Sequence, residues 1–279
     1  MNKLNLGRQA QIIKILCEGN SIRSTARITD TAINTVVKLL RDVGIACLEY
    51  QDKVMRDLPC RKLQCDEIWS FVYSKAKNVP DAHEGEFGYG DVWTFTAIDA
   101  DTKLVPSWKV GTRDVECAFE FVSDLKSRLA DRVQLTTDGH GMYLEAVEHA
   151  FGREIDFAQL VKRYRVEPEI DKRYSPAKCI GADKCVVQGN PETSKISTSY
   201  VERQNLTMRM CMRRFTRLTN AFSKKLENHI LALALYFMYY NFVRPHKSLA
   251  NPYPRTPAMA AGITNHIWNC EEILRLLET

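Results

Sequence analysis

Apolar residues recur every three or four positions in residues 8–44, in three groups separated by polar breaks. This spacing gives an α-helix one apolar face and predicts three short helices. Gly19 is expected to end the first helix, and Ser21 has a side chain suited to cap the second. A short polar turn precedes the third helix, which Gly44 is expected to end. Helices joined by a tight turn in this way match a helix-turn-helix unit.

The period of the apolar positions changes from helical to alternating after Pro59. Residues 46–60 carry mixed charge and are expected to form a linker. In residues 61–74, polar and apolar side chains alternate, which predicts a β-strand. Asp66 falls on the polar side of this strand, whereas Glu67 falls on the side of the apolar residues.

The remaining patterns alternate between strand and helix. They predict a β-hairpin, a helix, a strand that ends at Asp138, a helix, another strand, a less regular basic stretch and two last helices. This order is typical of an α/β fold with a mixed sheet flanked by helices. The β-hairpin covers residues 91–111, the first helix 114–130, the strand that ends at Asp138 132–141, the next helix 142–152 and the next strand 154–161. The basic stretch covers residues 162–199, and the two last helices cover residues 198–222 and 225–243.

The chain is therefore expected to contain two domains and a tail. Residues 1–57 would form a small N-terminal all-α helix-turn-helix domain with its linker. Residues 58–245 would form the α/β domain, with a basic insertion at residues 162–199, and residues 246–279 would form a C-terminal tail. A chain of 279 residues is long enough to bury a substantial core.

Composition narrows the class of protein. The net charge of +5 permits a nucleic-acid partner without requiring one. The nine cysteines are scattered and form no C-x-x-C pair, so reduced thiols are expected rather than a zinc site or disulfides. The most apolar segment, residues 229–243, is too short to span a bilayer. We therefore expect a soluble, cytoplasmic protein without a membrane partner.

Three acidic residues lie on three separate predicted elements. Asp66 lies within the first strand, Asp138 at the carboxyl end of a later strand, and Glu202 in the first turn of a helix. Open α/β sheets usually place their sites at the carboxyl ends of strands. Carboxylates at close range repel one another, so their convergence would need a divalent metal ion to stabilise it.

Four sequence blocks around these acids resemble a known family. They are CDEIWSFVYSKAKN around Asp66, TTDGHGMY around Asp138, STSYVERQNLTMRMCMRRFTRLTNAFSKK around Glu202, and YYNFVRPHKSL after it. They are similar to ribonuclease-H-like DDE transposases of the bacterial insertion-sequence-one type, from about residue 20 to residue 258. The resemblance implies a ribonuclease-H-like catalytic domain with Asp66, Asp138 and Glu202 as its catalytic triad. It also implies cleavage and strand transfer at the ends of a mobile element.

Phosphoryl transfer between DNA oxygens suits a site made of carboxylates. A pair of Mg²⁺ ions can stabilise both the entering and the leaving oxygen, and Mg²⁺ prefers oxygen ligands. We therefore expect Asp66, Asp138 and Glu202 to bind two Mg²⁺ ions, with Mn²⁺ as a substitute and no organic cofactor. Asp66 is favoured over Glu67 because it falls on the polar side of its strand.

Seven basic residues follow Glu202 before the next acid. On one continuous helix, Arg209 and Arg213 would lie within about 20° of the direction of Glu202 and could bind DNA phosphates. Arg214 and Arg217 belong to the same basic run. A solvated basic face is the alternative, and it is the usual meaning of such a run.

Two other segments carry candidate DNA contacts. Asn34, Thr35 and Lys38 in the third helix would face a major groove of DNA. The alternative is a plain three-helix cap or a dimerisation element. Arg244 and His246 follow the last helix and are candidates for touching DNA or supporting the site, although a simple helix stop at the intervening proline is favoured.

Three functions fit these features. The first is a transposase that binds double-stranded DNA as a homodimer or larger assembly, since joining two ends requires paired active sites. The second is a catalytically silent, DNA-binding regulator derived from a transposase, which the presence of all three acids disfavours. The third is a ribonuclease-H-like nuclease that hydrolyses DNA without joining it. The helix-turn-helix favours the first, because recognition of specific ends requires a DNA-binding unit.

Overall fold

The computed structural model describes residues 4–164, 179–216 and 220–278. Helices and strands follow one another largely in the predicted order. The helices are α1 (Leu6–Cys17), α2 (Ile22–Ile28), α3 (Ile33–Val54), α4 (Val115–Ser127), α5 (Met142–Phe151), α6 (Ser199–Cys211), α7 (Leu226–Met238), α8 (Pro257–Ala260) and α9 (Cys270–Arg275), and the strands are β1 (Lys62–Val72), β2 (Gly90–Asp99), β3 (Trp108–Gly111), β4 (Val133–Asp138), β5 (Ile155–Tyr164) and β6 (Cys179–Gln188).

The described strands form one six-stranded sheet in the order β3–β2–β1–β4–β5–β6. Strands β1, β4 and β5 run parallel, whereas β2, β3 and β6 are antiparallel to their neighbours. Helices α4 and α6 both pack on the sheet. This arrangement confirms the predicted fold class, a ribonuclease-H-like mixed sheet flanked by helices and preceded by N-terminal helices.

Helix α3 is much longer than predicted. It runs to Val54, so Gly44 lies inside it, and the prediction that Gly44 ends the helix is wrong. Gly44 instead allows a close approach of α3 to α7, because a Cβ at this position would lie 2.7 Å from both the Cβ and the carbonyl oxygen of Leu231. Gln51 extends the contact by donating to the Ala234 carbonyl at 3.1 Å. Much of the predicted linker is therefore helix packed against α7.

Replacing Gly44 with alanine is expected to lower the free energy of unfolding by about 1–3 kcal/mol, because the added methyl group would overlap with Leu231. Gly7→Ala is the matched control, since Gly7 is exposed in α1 and an added Cβ would come no closer than 3.8 Å to another atom. The control should be neutral or slightly stabilising, because alanine favours the helix more than glycine does. Denaturant unfolding of both variants measures the effect, and equal stabilities would contradict it.

The N-terminal helices and the sheet share one hydrophobic core. Ile12 of α1 and Val43 of α3 are fully buried in the same cluster as Leu63 of β1 and Phe237 of α7. Helix α9, near the end of the predicted tail, packs against α1 and buries Ile273. The predicted domain boundary falls between α3 and β1, and the independence of the two parts stays a prediction.

Helix α6 is shorter than predicted. It ends at Cys211, and Met212 has an extended backbone (φ −127°, ψ 110°), so the prediction of one helix over residues 198–222 is wrong. The carbonyl oxygens of Met210 and Cys211 lie 3.2 and 3.3 Å from the position that a Cβ on Gly19 would take. A longer helix would therefore meet the turn that follows α1.

The basic stretch at residues 162–199 is more regular than predicted. Its described part completes β5 and includes β6, an antiparallel edge strand. Residues 165–178 lie outside the described residues. Nearly all of β6 is exposed, so it lacks the alternation of buried and exposed positions that makes a strand visible in a sequence.

Two predictions from composition concern the whole chain. All nine cysteines are free thiols, and six of them are buried, which confirms that most serve as small core residues. Among the helices that the structure describes, none combines the length and the apolar character needed to cross a bilayer.

Candidate active site

Strand β1 carries two neighbouring acids that have different hydrogen-bond partners. Asp66 is half-buried and accepts a hydrogen bond from the Asn205 amide of α6, with 2.9 Å between Nδ2 and Oδ2. The side chain of Glu67 is only 1% exposed, and the Tyr143 hydroxyl of α5 donates to it at 3.1 Å. Successive side chains leave a β-strand on opposite faces, so the two acids have different partners even though their carboxylates stay close.

Asp138 is the last residue of β4, directly beside β1. The parallel pairing of these strands places Asp138 next to Asp66. The backbone N–H of His140 donates to the Asp138 carboxylate at 3.1 Å, and Gln159 of β5 donates to the His140 carbonyl at 3.1 Å. These bonds hold the turn after β4 and thereby the direction of the Asp138 side chain.

Glu202 approaches the same region from α6. The side-chain oxygen of Gln64 in β1 accepts the backbone N–H groups of Tyr200 and Val201, at 2.8 and 3.3 Å. N–H groups in the first turn of a helix have no partner within the helix. Gln64 therefore satisfies two of them, anchors the start of α6 to β1, and sets the position of Glu202.

The three acids predicted from the sequence line one cavity of about 520 Å³. Asp66, Asp138 and Glu202 share it with Lys162 of β5 and with Thr198, the residue before α6. The Glu202 carboxylate accepts hydrogen bonds from the Lys162 ammonium and from the Thr198 hydroxyl. Burial would lower the pKa of Lys162, but the hydrogen bond and the charge of Glu202 raise it, so the ammonium stays charged.

The crowding of carboxylates changes their acidity. Burial, together with the charges of Glu67 and Asp138, raises the pKa of Asp66 to about 7. Burial and the charge of Asp138 also raise the pKa of Glu67, against the opposing effect of Arg113. A cation placed among these groups would favour their charged forms, which is the electrostatic condition for a metal site.

The donor atoms fit a hard divalent cation. Asp66, Glu67 and Asp138 each offer a carboxylate oxygen, and these atoms lie within 4.8 Å of one another. Mg²⁺ and Mn²⁺ prefer oxygen ligands of this kind. Asn205 adds a buried side-chain oxygen that has no hydrogen-bond partner among the described residues. Glu202 lies outside this group of three, and its carboxylate forms an ion pair with the Lys162 ammonium.

Solved structures of transposases are among those similar to this chain. The match to a piggyBac transposase synaptic complex with hairpin DNA has 11% sequence identity and a TM-score of 0.37, and it covers 99% of this chain and 71% of that chain. A Mos1 mariner paired end complex with Mn and a pre-cleavage Mos1 transpososome each show 10% identity and a TM-score of 0.22. Those two matches cover 53% and 56% of this chain and 58% and 60% of theirs.

No protein-family model and no curated protein matches the sequence. Likeness to solved structures at these values concerns the path of the chain and does not extend to its function. The chemical character of the site therefore comes from its own residues.

The predicted DNA contacts of the N-terminal helices lie on the surface. Asn34, Thr35 and Lys38 are exposed on the first half of α3. Lys38 pairs with Asp42, one turn further along the helix. The second half of α3 packs on α7, as the buried Gln51 shows. The three predicted contact residues of α3 are therefore accessible from solvent.

The basic residues of α6 and the following turn do not form one row. Arg209 is half-buried in the last turn of α6, whereas Arg213 lies beyond the helix, so its predicted alignment with the acid that opens the helix is wrong. Arg214 donates from Nε to the Ser223 hydroxyl at 2.7 Å, and burial lowers its pKa to about 10. Arg217 lies outside the described residues. Of this run, Arg209 and Arg213 stay the better candidates for DNA contact.

Several residues that hold the acids were not evident from the sequence. Gln64, Arg113 and Lys162 lie 40 or more positions from the acids or the helix that they contact. No local pattern reports such contacts. Asn205 is the exception, because it lies three positions after Glu202 and helical spacing predicts that the two are neighbours on one face.

Proposed function

We propose that this protein is a DNA transposase that binds the ends of its mobile element and catalyses metal-dependent strand cleavage and strand transfer. The observation that carries the proposal is the convergence of Asp66, Asp138 and Glu202 on one cavity from three separate elements. The sequence blocks around these acids, which resemble DDE transposases of the bacterial insertion-sequence-one type, support it. A regulator that only bound DNA would have no use for these converging acids.

The three acids would hold a pair of Mg²⁺ ions, or Mn²⁺ in their place. When bound, such ions supply Lewis-acid stabilisation of the phosphoryl group and activation of the attacking oxygen. Asn205 orients the Asp66 carboxylate through its amide N–H. Gln64 holds the start of α6 and hence Glu202. Lys162 adds a positive charge at the cavity wall, where it would attract a DNA phosphate.

Double-stranded DNA would meet the protein in two places. The exposed first half of α3, with Asn34, Thr35 and Lys38, would contact the ends of the element. Arg209 and Arg213, at and beyond the end of α6, would bind phosphates that lead toward the acids. Recognition of the element ends by α3 would thus be separate from the binding of the reacting phosphate near the acids.

The assembly on DNA would be a homodimer or a larger closed complex. Joining two ends to a target requires two active sites held in one complex, and closed symmetric assemblies satisfy that need. The place of action would be the bacterial cytoplasm, at the nucleoid. Crosslinking that yielded monomer alone on paired ends would count against this arrangement.

Strand cleavage is expected to require a divalent metal. The purified full-length protein should cut labelled DNA that carries the ends flanking its gene when Mg²⁺ or Mn²⁺ is present, and a chelator should stop the reaction. Ca²⁺ should support DNA binding with little cleavage, because its looser coordination suits in-line transfer poorly. Gel analysis of cut and joined products gives the result, and full activity in chelator would exclude the mechanism.

The same assay separates the alternative functions. Cleavage followed by joining to a second DNA molecule identifies a transposase. Cleavage without joining identifies a nuclease of the same fold, and DNA binding without any cleavage identifies a silent regulator. The fold alone does not distinguish them, since one fold serves several chemistries.

A further inference from the structure

A second cavity lies on the other side of α6 from the acids. It has a volume of about 340 Å³ and lies between α6, the turn after β2, and the segment that follows α7. We call it the Tyr200 pocket. Its α6 residues include Tyr200, Arg203 and Thr207, which lie about 100–160° around the helix from Glu202 because successive residues turn by about 100°. The pocket and the acid-lined cavity therefore share α6 as a common wall.

The lining of the Tyr200 pocket is strongly positive. Lys103, Arg203, Arg244 and Lys247 contribute cationic side chains, His246 adds an imidazole, and none of the residues that line the pocket is acidic. Arginine and lysine concentrated around one concavity raise the local potential and favour an anion. This composition differs from that of the neighbouring cavity, where carboxylates dominate.

Lys103 is a buried cation without an ionic partner. The residue is 6% exposed, and among the described residues no carboxylate forms an ion pair with it. Its ammonium donates to the backbone carbonyls of Ala100 and Asp101 and lies 3.9 Å from the centre of the Tyr200 ring. Its backbone is in the left-handed region (φ 63°), which is uncommon for a residue other than glycine. A buried charge is costly unless it is paired, so this arrangement points to an anion that completes it.

His246 adds a hydrogen-bond donor rather than a charge. Its Nδ1 accepts the backbone N–H of Ser248 at 3.3 Å, which leaves Nε2 to carry the ring proton. Burial, together with the cations Lys103 and Arg244, lowers the pKa of His246, so the ring is neutral near pH 7. A neutral ring can donate a hydrogen bond to a ligand without adding a charge.

We propose that the Tyr200 pocket binds a phosphate group carried by a nucleotide. Arginine and lysine side chains match phosphate oxygens, and the tyrosine ring beside them offers an apolar face to a sugar or base. The volume lies at the lower end of small-ligand cavities, so it suits one nucleotide rather than a duplex. The phosphate has two possible sources, a DNA strand or a free nucleotide.

A DNA source would link the pocket to the acids across α6. A helix with its side chains is about 10–12 Å wide, which is about three base-pair steps of DNA at 3.4 Å each. A strand that placed one phosphate beside Glu202 could therefore place another in the Tyr200 pocket. This part of the inference rests on the proposed function, whereas the binding of a phosphate does not.

Binding measurements on the full-length protein in chelator test the proposal without any catalysis. The probes are a fluorescent single-stranded oligonucleotide and deoxyadenosine monophosphate. Arg203→Gln and Arg244→Gln should each bind at least one of these probes about tenfold more weakly, as expected for the loss of a charge-assisted hydrogen bond. The salt slope of oligonucleotide binding should fall by about 0.7 for each phosphate that the variant no longer neutralises. Lys53→Gln, the same charge change at an exposed position in α3, is the control and should match the wild type.

The two probes distinguish the sources of the phosphate. Weaker binding of the oligonucleotide alone supports a DNA strand, and weaker binding of the mononucleotide supports a free nucleotide. Variants that bind both probes as well as Lys53→Gln does would overturn the proposal. Both arginines are exposed, so the variants should fold, and their thermal unfolding confirms this. Because no cleavage is measured, failure of the proposed function would leave these results unchanged.

Discussion

Replacing Asp66 with asparagine is expected to lower metal-dependent strand cleavage by at least about a hundredfold, with DNA affinity equal or slightly higher. The substitution keeps the size of the side chain but removes the charge that a metal ion needs. Loss of metal stabilisation costs several kcal/mol at the transition state, and each 1.36 kcal/mol is a tenfold change in rate. DNA affinity should not fall, because one negative charge near the phosphates disappears. Cleavage rates and affinities at two salt concentrations measure both effects.

Two further acids and one control complete this experiment. Asp138→Asn and Glu202→Gln should lose cleavage as Asp66→Asn does, since all three acids line the same cavity. Glu67→Gln should cut better than these variants, because Arg113 and Tyr143 hold the Glu67 carboxylate. An inactive Glu67→Gln beside an active Asp66→Asn would show that the triad has been assigned to the wrong acids.

Arg213→Ala should show the opposite behaviour. It should weaken DNA binding and flatten the salt dependence by about 0.9 for each duplex phosphate that the variant no longer neutralises. The chemical step on bound DNA should change little, because Arg213 lies beyond the end of α6 and does not line the cavity of the acids. Asp66→Asn and Arg213→Ala together thus separate the binding of DNA from its cleavage.

Replacing Arg113 with methionine is expected to lower the free energy of unfolding by about 2–3 kcal/mol at pH 8. Arg113 forms an ion pair with the buried Glu67 at 2.6 Å and lies 4.5 Å from the centre of the Trp93 ring. Removing one partner leaves an uncompensated buried charge, which usually costs about 3–5 kcal/mol, and the partial exposure of Arg113 reduces that figure. Adding Glu67→Gln should recover most of the loss, because no charge then remains to be neutralised.

The pH dependence of this loss has a definite sign. Burial and Asp138 raise the pKa of Glu67 above its ordinary value of 4.5, and without Arg113 it would rise further. A carboxyl group with a raised pKa in the folded state makes stability fall as the pH rises from its unfolded pKa through its folded pKa. The defect of Arg113→Met should therefore shrink as the pH falls toward about 4.5 and be smallest below that pH, where Glu67 is protonated in both states.

Denaturant unfolding at several pH values measures this effect. Lys109→Met is the matched control, because Lys109 on the neighbouring β3 pairs with Glu120 at 2.8 Å and Glu120 is largely exposed. Surface ion pairs contribute about 0–1 kcal/mol, so the control should lose little stability at any pH. Equal losses in the two variants would mean that the burial of Glu67 does not matter energetically.

Much of the fold could be predicted from local pattern. The strand that ends at Asp138 and the helix that follows it are confirmed, and Ser21 caps α2 by accepting the N–H of Ser24 at 3.0 Å. Period, caps and turns are properties of neighbouring residues, so a sequence displays them directly. The boundaries failed where a tertiary contact replaced the local preference. Glycine often ends a helix, but at position 44 the absence of a side chain allows α7 to pack closely against α3.

The candidate site divides in the same way. The alternation in β1 separated Asp66 from Glu67, and the structure shows the two acids pointing to different partners. The sequence did not reveal that Arg113 neutralises Glu67, or that Glu202 is engaged by Lys162. Both pairs join distant parts of the chain, and such ion pairs impose no periodic pattern on the sequence.

The sequence by itself determined most of the elements, their order, and which acids were available for a metal site, although the edge strand β6 was not visible in it. The tertiary structure alone decided where α6 ends, that Arg213 leaves the face of Glu202, and that a second, cationic pocket lies behind the same helix. The physical reason is the separation along the chain over which each interaction acts. Backbone preference and burial of one face act over a few residues, whereas close packing and ion pairing act between any residues that the fold brings within a few ångströms.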